Sequence, residues 1–294
     1  QKTPSKAGVK QMKQKIYQIL GFSIISACVV ITLFFLVSII YLITVKGFHA
    51  VSWEFLTSIP RKSMTEGGVA PAILGTFYLV IGSILIALPL GVACAIYLNE
   101  YSPTGYIVNI IRMSINNLAG VPSVVFGLFG LAVFVNFFDF GVSILSGSLT
   151  LSMLILPGII SASQEALMAV PYSIREASLA LGATHWQTIR KTVLPTAMPG
   201  IMTGVILSIG RAAGETAPIL FTAATFYRRS YPSSILDETM ALPYHIYALM
   251  TEGTHPDKQV AIAYGCALIL LVLVLLVSAF AIIIRNKYRS GYVH

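Results

Sequence analysis

Two charged residues of opposite sign, Arg211 and Glu215, lie well inside one long apolar segment of the sequence. A guanidinium in hydrocarbon costs from about 2.5 to more than 10 kcal/mol, so it is rarely retained without a role. Residues four apart share one face of a helix, and these two side chains can therefore neutralise each other. One interpretation is a buried ion pair that fixes helix packing. In the other, Arg211 offers a planar fork of donors to a tetrahedral oxyanion in passage while Glu215 holds the fork, which predicts anion transport.

The segment around this pair is suited to close helix packing. At about 100° per residue, a stripe roughly 100° wide contains Gly200, Gly204, Leu207, Arg211, Gly214, Glu215 and Pro218. Glycines four apart let helices approach closely, so we expect the pair to face packed protein and not lipid. Pro218 cannot donate a hydrogen bond to the carbonyl of Gly214, which predicts a kinked helix that continues to Phe226.

Six segments are long and apolar enough to cross a bilayer as helices, which takes about 20 residues each. They are Leu20 to Val45, Val69 to Leu98, Ile107 to Phe137, Leu149 to Val170, Ala197 to Phe226 and Val260 to Ile284. Val272 to Ile284 is apolar on every side, whereas barrel strands alternate lipid-facing and lumen-facing residues. The sequence therefore predicts an all-α, polytopic membrane protein. Its domains are a basic tail over 1–19, one transmembrane domain over 20–284 and a second tail over 285–294.

Lysine and arginine in the connections predict the orientation, because cytoplasmic loops carry the excess of these residues. With the amino terminus inside, the cytoplasmic set is Lys2, Lys6, Lys10, Lys13, Lys15, Arg112, Arg175, Arg190, Lys191, Arg285, Lys287 and Arg289. The smaller outer set is Lys46, Arg61, Lys62, Arg228, Arg229 and Lys258. We expect both termini in the cytoplasm. The net charge of +8 is then explained by topology and anionic membrane lipid, and no nucleic acid is expected as a partner.

The composition and motifs argue against an enzyme. Hydrophobic residues make up 56% and charged residues 10% of the chain, against about 25% charged in a typical soluble domain. The sequence lacks the G-x-x-x-x-G-K-[ST] loop that cradles ATP phosphates and the H-E-x-x-H pattern of zinc proteases. Its three cysteines show neither disulfide nor metal spacing. We therefore expect no cofactor and no metal, and any ATP would be hydrolysed by a partner.

The connection from Pro171 to Pro195 is the longest one predicted on the cytoplasmic side, and it is organised. Ser173 and Glu176 have the spacing of a capping box at a helix start. Gly182 can take the positive φ that ends this helix, and a second short helix is expected to be stopped by Pro195. Two short amphipathic helices make a knob that could fill a groove on another protein or pack on its own bundle, and the pattern alone favours neither.

This connection resembles the EAA loop of ABC importer permeases, whose pattern is EAA-x3-G-x9-I-x-LP. The matching residues are Glu176, Ala177, Ser178, Gly182, Thr192, Leu194 and Pro195, with Ser178 and Thr192 as mild departures. The resemblance implies a type I ABC importer permease fold in which the loop is the coupling helix held by a cytoplasmic ATPase. Arg175, Glu176, Ala177 and Gly182 are then the expected ATPase contacts.

A narrower resemblance surrounds the charged pair. The stretch from Gly210 to Pro218 reads GRAAGETAP and resembles the G-R-x-x-G-E-T-A-P motif of phosphate-specific permeases of the PstA type. It implies passage of inorganic phosphate past Arg211 and Glu215. It also implies a related PstC-type permease subunit, two PstB-type ATP-binding subunits and a phosphate-binding protein as partners, in the inner membrane.

Three further polar residues are assigned to the pathway as expectations: Thr216 beside the pair, and Asn117 and Ser123 in the third segment. For Asn117, hydrogen bonding between helices is the competing role. Residues Leu242 to Met250 could form a short helix on the membrane surface. Two rival functions stay open: a secondary transporter in which Glu215 carries a proton, and an ABC permease for sulfate or molybdate.

Overall fold

A computed structural model describes residues 6–62, 64–102, 105–228, 230–253 and 256–290. In these ranges the chain is helical and forms no strand, apart from two isolated bridges that join Arg61 to Glu66 and Ala224 to Thr239. The predicted all-α class is therefore confirmed. Lys2 and Arg229, which entered the predicted orientation, lie outside the described residues.

Five helices in the described ranges are long and apolar enough to span a membrane, and a bent pair makes a sixth. The long helices are α1 (Lys6–Phe48), α3 (Ala70–Ile96), α6 (Ile144–Met168), α9 (Leu194–Gly214) and α12 (Pro256–Ser290). The bent pair is α4 (Tyr106–Ala119) and α5 (Ser123–Gly130). The shorter helices are α2 (Trp53–Thr57), α7 (Tyr172–Ala180), α8 (His185–Thr188), α10 (Ala217–Thr222) and α11 (Leu242–Thr251). Three π-helical turns, Tyr97–Tyr101, Leu131–Phe137 and Ile189–Val193, follow α3, α5 and α8.

The third predicted span is not one continuous helix. Its two halves meet at a bend of 102° between Ala119 and Ser123. Pro122 sits at this bend in an extended conformation with ψ 140°, which a helix interior does not allow, and it has no N–H to donate back to Leu118. The span predicted from Ile107 to Phe137 is therefore present, but as a bent pair of helices and not as one continuous helix.

The fifth predicted span is shifted along the chain. The helix runs without a break from His185 through the π turn into α9, so Pro195 does not stop it. A π turn just before a proline accommodates the missing donor and the ring, which is the physical reason that the prediction failed. At the other end, α9 stops at Gly214. The prediction of a kinked helix that continues to Phe226 is therefore wrong as well.

Small residues let the central helices pack closely. A Cβ on Gly91 of α3 would lie 2.7 Å from Ile159 of α6, and one on Gly200 of α9 would lie 2.6 Å from Ala166 of α6. Gly204 likewise approaches Ala162. The predicted Gly200 and Gly204 contact surface is thus present, and α6 is the helix that it meets.

The connection between α10 and α11 is ordered by one carboxylate. Asp237 accepts hydrogen bonds from the backbone and hydroxyl of Ser233, from the backbone of Ser234 and from the Arg228 guanidinium. These bonds, the Ser233 backbone first, lower the pKa of Asp237 from 3.8 to about 2. Because the pKa is lowered in the folded state, the hydrogen bonds of the ionised Asp237 stabilise the fold above about pH 4. This stabilisation is lost as the pH falls toward 2, so it is fully present at neutral pH.

The helix expected around Leu242 to Met250 exists as α11, but it is not a surface helix. Leu242, His245, Ala248 and Leu249 are buried, and α11 packs against α12 and α3. The backbone N–H of Leu242 donates to the Thr76 hydroxyl at 2.8 Å, which fixes the start of α11 against α3. The apolar face of α11 is therefore buried in the core of the protein.

We expect Gly75→Ala to destabilise the protein by about 1–3 kcal/mol, the usual cost of overpacking a filled core. A Cβ at this position in α3 would collide with the Met240 carbonyl oxygen and the Thr239 hydroxyl, and backbone cannot move aside easily. The thermal midpoint of the detergent-purified protein measures the effect. Gly158→Ala in α6 is the matched control, because its Cβ would meet nothing within 4 Å. Equal midpoints for the two variants would contradict the prediction.

Candidate functional site

Arg211 lies in the last turn of α9 and Glu215 immediately follows the helix. The Arg211 Nε and the Glu215 Oε1 are 3.7 Å apart, which is an ion pair but longer than a hydrogen bond. The Arg211 side chain is 43% exposed and that of Glu215 is 17% exposed. Within the described part of the chain the guanidinium makes no hydrogen bond, so its donors are available to a ligand.

The backbone is irregular where the pair sits. Glu215 is extended, with φ −74° and ψ 131°, and Thr216 then leads into α10, where Pro218 occupies the first turn. A broken helix leaves backbone carbonyls without partners in the helix. At membrane depth such backbone is tolerated only where protein buries it or where it lines a water-filled space.

The two broken spans meet each other. A Cβ on Gly127 of α5 would lie 2.9 Å from the Pro218 Cα of α10 and 3.0 Å from the Ala217 carbonyl oxygen. Ser123, at the start of α5, and Thr216, just before α10, therefore belong to two helices that begin after a break and pack together. Both side chains are half-buried. Asn117 is exposed on α4, and its side chain makes no hydrogen bond within the described ranges.

The predicted stripe around the pair is only partly covered by this chain. Gly204 and Pro218 are buried, but Leu207 is 72% exposed. A Cβ on Gly210 or Gly214 would meet nothing within 4 Å. Arg211 thus points away from the described part of the bundle, and nothing in the described residues covers this face.

Glu215 also borders a small cavity of about 10 Å³, room for one water molecule at most. Most of its walls come from α3, α6 and α9, and the lining residues are Thr76, Leu79, Val80, Leu151, Ala212, Ala213, Glu215, Ile219, Ala241 and Pro243. The carboxylate therefore links the exposed guanidinium to the packed centre of the bundle.

The second candidate site is the knob formed by α7 and α8. No residue of α7 is buried, Glu176 and Ala177 are exposed, and Leu181 and Trp186 are 90% and 53% exposed. Such exposed apolar side chains beside a charge are typical of a surface that another protein covers.

The end of α7 follows the prediction, but the start of α7 does not. Gly182 has φ +85°, and the backbone N–H groups of Gly182 and Ala183 donate to the carbonyls of Leu179 and Ser178. The predicted capping box at Ser173 is wrong, since Pro171 precedes the helix without a side-chain cap. A capping box instead begins α8, between Thr184 and Gln187.

Arg175 is placed differently from the other expected contacts. Its side chain is 14% exposed and forms an ion pair with Glu100, whose side chain is 6% exposed, at 2.9 Å. It also donates to the carbonyls of Val170 and Leu167 at 2.6 and 2.9 Å. The sequence analysis missed Glu100. The available signal was a carboxylate just beyond an apolar segment, which needs a partner if it is buried.

Comparison with known proteins extends these observations. Residues 87–290 match the family described as binding-protein-dependent transport system inner membrane component. The phosphate transport system permease protein PstA of Mycobacterium leprae (strain TN) is 38% identical over 259 residues, covering 85% of this chain and 83% of the relative. PstA of Xylella fastidiosa (strain Temecula1) is 33% identical over 244 residues, covering 82% of this chain and 84% of the relative.

Solved structures show the same fold. A chain from a bacterial alginate ABC transporter, solved in complex with an alginate pentasaccharide-bound periplasmic protein, matches with a TM-score of 0.64 at 18% identity. The match covers 92% of this chain and 94% of that one. At this identity the likeness concerns the fold alone, and it confirms the predicted ABC importer type I permease architecture.

Proposed function

This chain belongs to the binding-protein-dependent transport system inner membrane component family, and we propose that it is a permease subunit of an ATP-driven importer of inorganic phosphate. The observation that carries the proposal is the guanidinium of Arg211, 43% exposed at a break in a membrane helix and without a hydrogen bond in the described part of the chain. A planar fork of donors suits a tetrahedral oxyanion. Two relatives named phosphate transport system permease protein PstA match this chain over more than 80% of their own length.

The arrangement favours passage over tight binding. A single guanidinium, already neutralised in part by Glu215 at 3.7 Å, attracts an anion without enclosing it. A conducting site must bind well enough for entry and weakly enough for release. The half-buried hydroxyls of Thr216 and Ser123 are further candidates for replacing hydration water along the way.

The proposed assembly supplies what this chain lacks. A related PstC-type permease subunit would cover the open face around Leu207, Gly210 and Gly214. Two PstB-type ATP-binding subunits would hold the α7 and α8 knob of each permease and hydrolyse the ATP. A phosphate-binding protein would dock at the opposite end of the bundle. Both termini would then lie in the cytoplasm.

Uptake energetics test this proposal against a proton-coupled transporter. In vesicles containing the assembled complex, we expect phosphate uptake to stop when ATP is depleted and to continue when the proton gradient is collapsed. Uptake that survives ATP depletion and fails without the gradient would contradict the proposal. A tenfold excess of sulfate or molybdate should leave phosphate uptake unchanged, and strong competition by either would favour the other oxyanion.

We expect Glu215→Gln to retain ATP-driven phosphate uptake within about tenfold of the wild type. Glutamine keeps the size and one acceptor of the side chain but cannot carry a proton, and an ion pair 3.7 Å long, whose arginine is 43% exposed, contributes little. Initial uptake rates at several phosphate concentrations give the measurement. Complete loss of uptake with ATPase activity intact would instead assign a proton-carrying role to Glu215.

A further inference from the structure

We propose that the buried ion pair of Arg175 and Glu100 is a positioning pair that transmits movement of α7 to α3 and α6, and so to the site of Glu215. The inference rests on the proposed function, in which a partner ATPase moves α7. It differs from the docking role expected for Arg175, because this side chain is turned into the protein.

The contacts of Arg175 join three elements. Its Nη2 atom reaches Glu100 Oε1 at 2.9 Å, at the end of the π turn that prolongs α3. The same atom and Nη1 donate to the carbonyls of Leu167 and Val170, at the C-terminal end of α6. Helix C-terminal carbonyls lack partners of their own and attract cations, so the guanidinium is held on two sides.

Within the described residues, few contacts other than those of Arg175 join α7 to α3 or α6. No residue of α7 is buried. A cavity of about 600 Å³ opens beside the pair, with Tyr172, Leu179 and His185 among its lining residues, so α7 is not backed by close packing there. The other described contacts of α7 are with α8 and the π turn Ile189–Val193. The half-buried Ile174 packs on a cluster that includes Ile189 and Val193, and the hydroxyls of Ser178 and Thr188 lie 3.0 Å apart.

The helices that Arg175 holds both reach the other candidate site. Thr76, Leu79 and Val80 of α3 and Leu151 of α6 line the small cavity that Glu215 borders. From Thr76 to Glu100 the chain rises about 36 Å at 1.5 Å per residue. Close packing of Gly91 on Ile159 keeps α3 and α6 together along the way. A displacement applied at Arg175 therefore reaches Glu215 through two helices that move as a unit.

Coupling between α7 and transport is measured as the number of ATP molecules hydrolysed per phosphate taken up. In the reconstituted complex, we expect Arg175→Lys to raise this ratio about 5-fold to 10-fold, because lysine has one terminal nitrogen in place of the two guanidinium nitrogens that contact Glu100, Leu167 and Val170. Glu100→Gln, the milder variant, should raise it in the same direction. ATP-binding subunits should co-purify with both variants as with the wild type, and ATP hydrolysis should stay within about twofold.

A double variant separates transmission from two unrelated effects. Arg175→Lys combined with Glu100→Gln should be no worse than the more affected single variant, since both disrupt the same ion pair. Lys62→Gln, which breaks an ion pair that is 71% and 54% exposed, is the control and should leave the ratio unchanged.

Two results would overturn the inference alone: an unchanged ratio in both single variants, or a parallel loss of uptake, hydrolysis and ATPase retention, which would make the pair merely structural. A wild-type complex that hydrolyses ATP but takes up no phosphate would overturn the proposed function and this inference with it.

Discussion

Replacing Arg211 by alanine is expected to lower phosphate uptake by roughly 100-fold or more, the usual cost of removing one preorganised donor to a charged group. The guanidinium is the charged donor at the break between α9 and α10, and it has no hydrogen bond in the described ranges that its loss would leave unsatisfied. The fold and the assembly should therefore survive. Initial rates of radiolabelled phosphate uptake by the reconstituted complex measure the effect.

Two variants make this result specific. Arg211→Lys keeps the charge and loses the fork, so an intermediate rate is expected, reduced by about tenfold. Arg61→Ala removes an exposed arginine from the connection between α2 and α3 and should leave uptake unchanged. If Arg211→Ala transports normally, the pair with Glu215 is structural and the anion pathway lies elsewhere.

Reversing the charge of Glu176 is expected to reduce the amount of ATP-binding subunit that co-purifies with this chain by about tenfold. Glu176 is exposed on α7 beside a surface that includes Leu181 and Trp186. The substitution removes a carboxylate from the proposed docking surface and places an unpaired positive charge there, and a tenfold loss of binding corresponds to about 1.4 kcal/mol. Quantitative pull-down from membranes at low and high salt gives the measurement.

Glu54→Lys is the matched control for this charge reversal. Glu54 is also exposed but lies on α2, beside the N-terminal end of α3 and away from α7. We expect full retention of the ATP-binding subunits in this variant. Undiminished retention with Glu176→Lys would remove α7 from the docking surface.

The membrane segments could be predicted because length and apolarity are local properties of the sequence. Five of the six predicted spans overlap single long helices, and α12 exceeds its prediction at both ends. The knob at α7 and α8 was also predictable, because Gly182 has a conformational role that few other residues can take. The charge pattern singled out Arg211 and Glu215, and resemblance to the phosphate-specific permeases over nine consecutive residues added a role in phosphate passage, which stays a prediction.

The breaks and the buried ion pair depend on distant parts of the chain and could not be predicted in the same way. Proline marks a weak point in a helix, yet Pro195 lies inside a continuous helix whereas Pro122 sits at a bend of 102°. Neighbouring helices decide between these outcomes. Arg175 and Glu100 are 75 residues apart, and nothing in their local sequence indicates that they meet.

The accessibility of position 211 in the working complex tests most directly whether a guanidinium there meets the transported anion. In a complex whose native cysteines are replaced, Arg211→Cys would be treated with a negatively charged, membrane-impermeant thiol reagent during ATP turnover. We expect modification within minutes, and slower modification when phosphate is present in excess. A cysteine that reacts in the isolated chain but stays unmodified in the assembled, turning-over complex would show that position 211 is sealed from any conduit.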